Sequence, residues 1–281
     1  MASDIVGRRN WLQRVLGRGK TTIPVVRLHG VIAAEQRQGR LNMATVNPLL
    51  ERAFAIKSAP AVAIIVNSPG GSPVQSRLIG KRIRDLADIN EKPVLVFVED
   101  AAASGGYFIA VAGDEIIVDP SSIVGSIGVI MAGFGFVGAL DKLGIERRVH
   151  TAGNNKSTLD PFLPEKQSDI DRIKQFELDI HQVFIDAVKT RRGPKLKAPD
   201  DQLFTGEWWT GIRGVELGLV DALGDLHEVL QARYGQDIKL KYITPKRPFF
   251  GIPRLGFSAS GIATEFAATV EDRAVWARLG L

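Results

Sequence analysis

Residues 61–71 read AVAIIVNSPGG, an apolar run that ends in a polar turn with two glycines. A continuous apolar run between Pro60 and Asn67 is typical of a strand that is buried on both faces of a sheet. From Ser72 onward, apolar side chains recur at helical spacing as far as residue 86. A buried strand, a glycine turn and a helix in this order predict a unit of a parallel sheet covered by helices.

The same kind of unit recurs along the chain. Residues 23–32 predict a strand, and residues 47–58 predict a helix that Asn47 caps, with Pro48 in its first turn. Further strands are predicted at residues 94–98, 115–118, 146–150 and 238–243, and further helices at residues 105–112, 136–143, 164–192 and 226–234. Because strands and helices alternate, the predicted fold class is α/β with a mainly parallel sheet. The polar flanks of the longest helix suggest a role in assembly.

We divide the chain into three parts. Residues 1–21 form a basic amphipathic segment, residues 22–244 the α/β domain, and residues 245–281 a tail with a last amphipathic helix. The first segment has no apolar core of a signal peptide. Its basic amphipathic stretch can lie on an anionic membrane, or it can pack on the domain or on a partner subunit. A cytoplasmic or peripherally membrane-associated protein is therefore expected.

One uncharged stretch, Pro120–Leu140, has about the length that a bilayer requires. Its five glycines would weaken a helix, and a membrane span there would separate the candidate catalytic residues described below. We therefore predict that this stretch is buried core and that the chain has no transmembrane helix.

Composition excludes several classes of site. The 281 residues include no cysteine, which rules out disulfides, thiolate catalysis and cysteine-bound metals. The four histidines lack zinc-site spacing, and we expect no metal and no cofactor. A net charge of +5 is too small and too scattered to indicate nucleic-acid binding.

Ser104 is the candidate nucleophile. It lies in AAASGGYFIA, residues 101–110, where a predicted strand meets a short apolar helix. Small neighbours leave its hydroxyl accessible, although a serine at this place can also simply cap the helix. The pattern differs from the G-x-S-x-G elbow, because Ala102 occupies the first glycine position.

Serine needs a base beside it, and Ser-Lys arrangements exist. Lys156, in GNNKS at residues 153–157, is the favoured base, although a loop lysine is more often simply solvated. To act as a base it must be desolvated, because burial lowers the pKa of a lysine. His150 leaves a histidine base open as an alternative.

The glycines after residues 61–66 suggest an oxyanion hole. They allow backbone N–H groups to point into a pocket beside a helix N-terminus, and they lie one strand before Ser104. In a parallel sheet, two successive strand ends meet at the same carboxyl edge. An ordinary tight turn is the structural alternative.

A rival motif is GFGFVG at residues 133–138, which matches the G-x-G-x-x-G dinucleotide fingerprint. No acidic residue ends the next predicted strand, residues 146–150, as that fingerprint requires. The two phenylalanines also fit core packing better than contact with a pyrophosphate. The motif is therefore disfavoured as a cofactor site.

Taken together, the chain resembles the signal peptide peptidase A family, which shares its fold with the Clp protease and crotonase superfamily. The resemblance covers about residues 23–230. It rests on four motifs in order: NSPGG at residues 67–71, AASGGY at residues 102–107, VGSIGV at residues 124–129 and GNNKS at residues 153–157. The membrane helix common at the N-terminus of the family is not seen, and only one copy of the catalytic unit is present.

The resemblance implies a role for each matching residue. Ser104 is then the nucleophile, Lys156 the general base, and Ser126 the residue that orients the lysine ammonium by hydrogen bonding. The oxyanion donors are the backbone N–H groups of Gly71 and Gly105. Family members cleave residual signal peptides and other unfolded apolar peptides.

The resemblance also implies an assembly. Family members form ring-shaped homo-oligomers in which serine and lysine can come from neighbouring subunits. Two other function classes stay open: a crotonase-type acyl-thioester enzyme, which shares the oxyanion hole but does not need Ser104, and a non-catalytic membrane-associated scaffold, which does not need Lys156.

Overall fold

The structure is a computed structural model that describes residues 20–35, 37, 39–153, 155–245, 269–270 and 272–281. The basic N-terminal segment and most of the tail, including the start of its predicted amphipathic helix, lie outside the described residues. Within the tail, residues 272–277 are helical.

An eight-stranded sheet forms the centre of the domain, and all but one of its strand pairings are parallel. This confirms the predicted α/β class. The strands are β1 (Thr22–His29), β2 (Val62–Ser68), β3 (Val94–Ala103), β4 (Glu115–Val118), β5 (Ile123–Gly125), β6 (Trp208–Thr210), β7 (Ala222–Leu223) and β8 (Lys239–Tyr242). The order is β6-β5-β3-β2-β1-β8, with β4 beside β3 and β7 beside β4. The antiparallel pair is β5 with β6.

Strand β3 has two different neighbours on one side. Its first half pairs with β4 and its second half pairs with β5, while β2 lies along its other side. The β2–β3 register shifts between Val66 and Ser68. Because of this arrangement, β3 extends beyond β4 and carries the chain to the carboxyl edge of the sheet at Ala103.

Helices cover the sheet. They are α1 (Met43–Phe54), α2 (Pro73–Asn90), α3 (Gly105–Ala110), α4 (Val137–Leu143), α5 (Gln167–Arg192), α6 (Asp200–Leu203), α7 (Gly211–Leu217) and α8 (Leu226–Tyr234). The larger core cluster packs residues of α1, α2, α3 and α5 against one face of the sheet. Leu230 of α8 belongs to a cluster on the other face. Farther along that face, Leu279 of the tail packs on Ala101 and Ala103.

Two sequence predictions about helix starts had different outcomes. Ser72 caps α2, and its side chain accepts a hydrogen bond from the backbone N–H of Gln75, as the sequence led us to expect. The prediction that Asn47 caps α1 is wrong. The cap is Asn42, which forms a reciprocal capping box with Thr45, so the helix begins four residues earlier and contains Pro48.

The segment between β5 and α5 differs most from the sequence predictions. Buried core was expected over Pro120–Leu140; Val124 and Ile127 are fully buried, but Ile130 is 71% exposed and Phe134 is 83% exposed. The strand expected at residues 146–150 is also wrong, because these residues are exposed and pair with no strand. Phe136 stacks on Phe162, with 5.5 Å between ring centroids, but the described part of one chain leaves most of the large apolar side chains of this segment exposed. In that same part, no helix is both long and apolar enough to cross a membrane.

A nearly buried ion cluster fastens the end of α5 to the sheet. Arg192, whose side chain is 3% exposed, donates to Asp221 Oδ2 at 2.6 Å and to the carbonyl of Gly218 at 2.7 Å. Lys195 donates to the other carboxylate oxygen at 2.8 Å, and the Ile116 N–H donates to Oδ2 at 2.8 Å. Burial alone would raise the pKa of Asp221, but these hydrogen bonds together hold it below its ordinary value.

Removing the charge of Asp221 should therefore destabilise the fold in a pH-dependent way. We expect Asp221→Asn to lose about 3 kcal/mol of unfolding free energy at pH 7, because Arg192 is left buried without its partner. A carboxylate whose pKa is lowered in the folded state stabilises the fold at pH values above its ordinary pKa of about 4. This stabilisation is lost as the pH falls through the lowered pKa. The gap between wild type and variant in urea unfolding should therefore narrow toward pH 3.

The matched control is Glu216→Gln, which removes one partner of an exposed ion pair with Arg213. Exposed pairs contribute at most about 1 kcal/mol, so this variant should unfold like the wild type. An Asp221→Asn protein as stable as the wild type at pH 7 would contradict the role of the cluster.

Candidate active site

Ser104 stands directly after β3, at the carboxyl edge of the sheet. Its backbone N–H donates to the carbonyl of Gly125 at 2.8 Å, which extends the β3–β5 ladder by one residue. Its φ of +50° and ψ of −120° form a conformation that residues other than glycine rarely adopt. Such strain is concentrated at functional sites. The side chain makes no capping hydrogen bond to α3, so its hydroxyl is not used as a helix cap.

The glycine turn after β2 lies against Ser104. The buried side chain of Asn67 joins the two strand ends, donating to Asp100 Oδ2 at 2.5 Å and accepting from the Ala101 N–H at 3.2 Å. A Cβ atom on Gly70 would lie 2.8 Å from both Gly105 N and Ser104 Cβ. Because that spacing leaves no room for a side chain, the turn can approach the nucleophile only with glycine at this position.

Two backbone donors accompany the serine. Gly71 has a φ of +136°, and a Cβ atom on it would lie 2.0 Å from the carbonyl oxygen of Ile32. Within the described part of the chain, neither the Gly71 N–H nor the Gly105 N–H donates a hydrogen bond to a protein group. Both glycines line one cavity together with Ser104. Free N–H groups beside a serine hydroxyl are what stabilisation of a tetrahedral oxyanion requires.

The cavity itself is small and mainly apolar, with a volume of about 40 Å³. Its lining comprises Gly71, Pro73, Ser76, Ser104, Gly105, Phe108, Gly128, Val129, Ile180, Val183 and Phe184. The apolar part of this lining comes mainly from α3, α5 and the segment after β5, and no sequence motif predicts it. An apolar cavity beside an accessible hydroxyl suits an apolar side chain of a substrate.

Ser126 lies next to Ser104. The parallel register pairs Ala103 with Gly125, so each serine is the residue that follows a paired position on adjacent strands. Ser126 also has a positive φ, +53°, and its N–H donates to the carbonyl of Glu207 at 2.6 Å. The fold therefore brings together Gly71, Gly105, Ser104 and Ser126 from three separate motifs.

Lys156 is not brought into this group. It is exposed, and within the described residues its side chain makes no hydrogen bond or ion pair. It is also absent from the cavity lining. His150, the alternative base, is likewise exposed. A single chain thus presents the proposed nucleophile and oxyanion donors with no base bonded to the serine.

Curated relatives connect the chain to proteases. A serine protease named SPPA from Arabidopsis thaliana chloroplasts is 27% identical over 92% of this chain and 40% of its own length. A Brucella abortus protein named Na(+)/H(+) antiporter NhaA is 54% identical over 93% of this chain but only 37% of its own length. The chain thus spans well under half of these relatives, and the antiporter name belongs to the longer protein.

A solved structure shares the fold. It is the 1510-N membrane-bound stomatin-specific protease in complex with a substrate peptide, with a TM-score of 0.51 and 18% identity over 81% of this chain and 94% of that one. The sequence model described as peptidase family S49 matches residues 87–239, more than half of the chain. That match includes Ser104, Ser126 and Lys156, and protease relatives support the resemblance seen in the motifs. The chain belongs to peptidase family S49.

Proposed function

We propose that this protein is a serine endopeptidase that cleaves residual signal peptides or other unfolded apolar peptides through an acyl-enzyme. The observation that carries the proposal is the shared cavity of Ser104, Gly71 and Gly105, in which a strained serine faces two free backbone donors. The apolar lining favours apolar residues in the substrate. Membership of a peptidase family agrees with this chemistry.

The reaction follows from these groups. Neutral Lys156 takes the proton of the Ser104 hydroxyl, and the oxygen attacks the carbonyl carbon of the scissile peptide bond. The carbonyl π electrons move to oxygen, where the N–H groups of Gly71 and Gly105 stabilise the negative charge. Collapse breaks the C–N bond, and the leaving amine takes the proton from the lysine. Water, activated by the same lysine, then hydrolyses the ester. Ser126 orients the ammonium group by hydrogen bonding.

We further propose that the base comes from a neighbouring copy in a ring-shaped homo-oligomer. Lys156 is exposed in the single chain, whereas a lysine base needs a desolvated position. The segment that leads to it exposes large apolar side chains, which we name the assembly face: Ile130, Met131, Phe134, Leu143 and Ile145. Exposed apolar patches of this kind mark protein interaction sites. Covering the assembly face with a second copy would bury the segment and give Lys156 a partner serine.

The test is hydrolysis of a fluorogenic apolar peptide as a function of pH. With lysine as the base, kcat/KM should rise by about tenfold per pH unit below the pKa of the base and reach its maximum on the alkaline side. An acyl-thioester substrate measured in parallel is the control for the crotonase-type alternative. A flat profile from neutral to alkaline pH, or turnover of the thioester alone, would contradict the proposed function.

A further inference from the structure

We propose that Arg40 is a positioning residue for catalysis. Held by residues 272–281, which we name the C-terminal segment, it fixes the turn that carries the Gly71 oxyanion donor. This inference rests on the proposed function, because it assigns a use to the geometry of the oxyanion hole. Arg40 lies outside the cavity lining at Ser104, so its effect on the reaction must pass through the backbone.

The direction of the Gly71 N–H is set by Ile32. The N–H of Ile32 donates to the carbonyl of Gly70 at 2.8 Å. That carbonyl belongs to the same planar peptide group as the Gly71 N–H, and in a trans peptide the two point in opposite directions. The Ile32 carbonyl also accepts from the N–H of Ser72 at 2.7 Å, so hydrogen bonds hold the chain on both sides of Gly71. The oxyanion donor is therefore aimed by its pairing with Ile32.

Arg40 holds the other neighbour of Ile32. Leu41, which follows Arg40 in the chain, pairs with Ile32 as a parallel bridge. The Arg40 side chain is only 6% exposed, and it donates to Asp272 Oδ1 at 2.9 Å and to the carboxylate of Glu35. Because a buried guanidinium is costly without carboxylate partners, removing the charge of Asp272 should displace Arg40 toward solvent. Leu41 would move with it, and the displacement would reach Ile32 through the bridge.

Two further contacts hold the C-terminal segment at this edge of the sheet. The Trp276 ring stacks on His29, the last residue of β1, with 6.1 Å between ring centroids. Leu279 is 9% exposed and packs on two alanines of β3, one of which directly precedes Ser104. Residues 272–277 are helical, and Asp272 and Trp276 lie four positions apart, which places them on one side of the helix. The segment thus contacts both strands whose ends build the site.

The experiment measures kcat and KM separately for an apolar peptide in Asp272→Asn and Trp276→Ala. A misplaced oxyanion donor weakens binding of the transition state but not of the uncleaved peptide, so kcat should fall by about 10–100-fold. KM should change by less than about threefold. Asp272→Glu keeps a carboxylate within reach of Arg40, so its kcat should stay within about threefold of the wild-type value.

A peptide aldehyde gives a readout that a general loss of stability would not move. Its tetrahedral adduct with Ser104 carries an oxyanion that uses the same backbone donors. In Asp272→Asn, the affinity for the aldehyde should fall by about the same factor as kcat. The affinity for the uncleaved peptide, measured in the Ser104→Ala background, should be unchanged. An equal fall in both affinities would indicate a damaged peptide site and would overturn the inference.

The matched control is Asp221→Asn, which leaves another buried arginine, Arg192, without its carboxylate partner. It should weaken the fold strongly, but the folded protein should keep the wild-type kcat, because these residues anchor α5 and not the oxyanion turn. Arg273→Ala, at an exposed residue of the C-terminal segment, should also leave kcat unchanged. A kcat that falls equally in Asp221→Asn would show a general loosening of the fold and would overturn the inference.

Hydrogen exchange separates this inference from the proposed function. The amides of Ile32 and Ser72 form the two hydrogen bonds to the turn, so they should exchange faster in Asp272→Asn whether or not the protein cleaves peptides. Cleavage by the wild type, with an unchanged kcat in both Asp272→Asn and Trp276→Ala, overturns the inference and leaves the peptidase function intact. No cleavage by the wild type, together with the faster exchange, overturns the peptidase function and supports the link from Asp272 to the turn.

Discussion

Replacing Ser104 with alanine is expected to lower kcat/KM for an apolar peptide by at least about 10³-fold, because no other group can form the acyl-enzyme. The fold should survive. Alanine at this position adopts the same positive φ at a cost similar to that of serine, and the hydroxyl makes no capping bond that would be lost. The measurement is peptide hydrolysis combined with circular dichroism and native mass, so that loss of chemistry is separated from loss of structure.

The control for this substitution is Ser121→Ala, at an exposed serine that follows β4. Full activity in Ser121→Ala and none in a folded, assembled Ser104→Ala protein is the expected result. Hydrolysis that persists in Ser104→Ala would remove the serine from the mechanism. Turnover of an acyl-thioester by that same variant would favour the crotonase-type reading.

Local patterns were sufficient to predict five of the eight strands of the sheet, β1 to β4 and β8. The apolar run at residues 61–66 and its glycine turn became β2 and the turn before α2, because a strand covered on both faces of a sheet is mainly apolar. The start of α2 at Ser72 was also predictable, since a cap needs only neighbouring residues. The start of α1 was not, because two cap candidates, Asn42 and Asn47, lie five residues apart. The reciprocal bond with Thr45 decides between them.

Predictions failed where a segment depends on surfaces outside itself. The expected strand at residues 146–150 does not form, and in the described part of the chain no strand lies beside these residues. Phe134 and Phe136 were expected to pack in a core, and they are exposed instead. Apolar periodicity indicates that a surface is buried, but it does not indicate which molecule buries it.

In the candidate site too, some residues were predictable from local sequence and others were not. Ser104, Gly71 and Gly105 were predictable as a group, because successive parallel strands end at one edge of the sheet. Phe184 lies eighty positions after Ser104, on a helix with several other apolar residues at helical spacing. Only the packing of α5 against α3 selects this ring as part of the cavity. Lys156 was predicted by motif, and in the described chain it is exposed and does not line the cavity at Ser104.

Lys156→Ala alone is expected to lower kcat/KM by about 10³-fold, the contribution of a general base. The larger effect is the activity expected to return when the Lys156→Ala protein is mixed with the Ser104→Ala protein. If serine and lysine of one site belong to neighbouring copies, a site with both intact groups forms whenever a Lys156→Ala subunit supplies the serine and a Ser104→Ala subunit supplies the lysine. Random co-assembly at equal amounts should therefore restore about a quarter of the wild-type activity from two inactive proteins.

The control mixes Ser104→Ala with Lys57→Ala, at an exposed lysine that follows α1 and lies outside the segment after β5. Lys57→Ala is expected to be fully active alone, so its mixture should show only dilution, with about half of the wild-type activity. The variants are unfolded and refolded together so that their subunits can mix in any assembly that forms. Recovery that requires co-refolding identifies a site shared between copies. No recovery after demonstrated co-assembly would instead place Ser104 and Lys156 of each site within one chain, and the segment after β5 would then have to fold back toward its own serine.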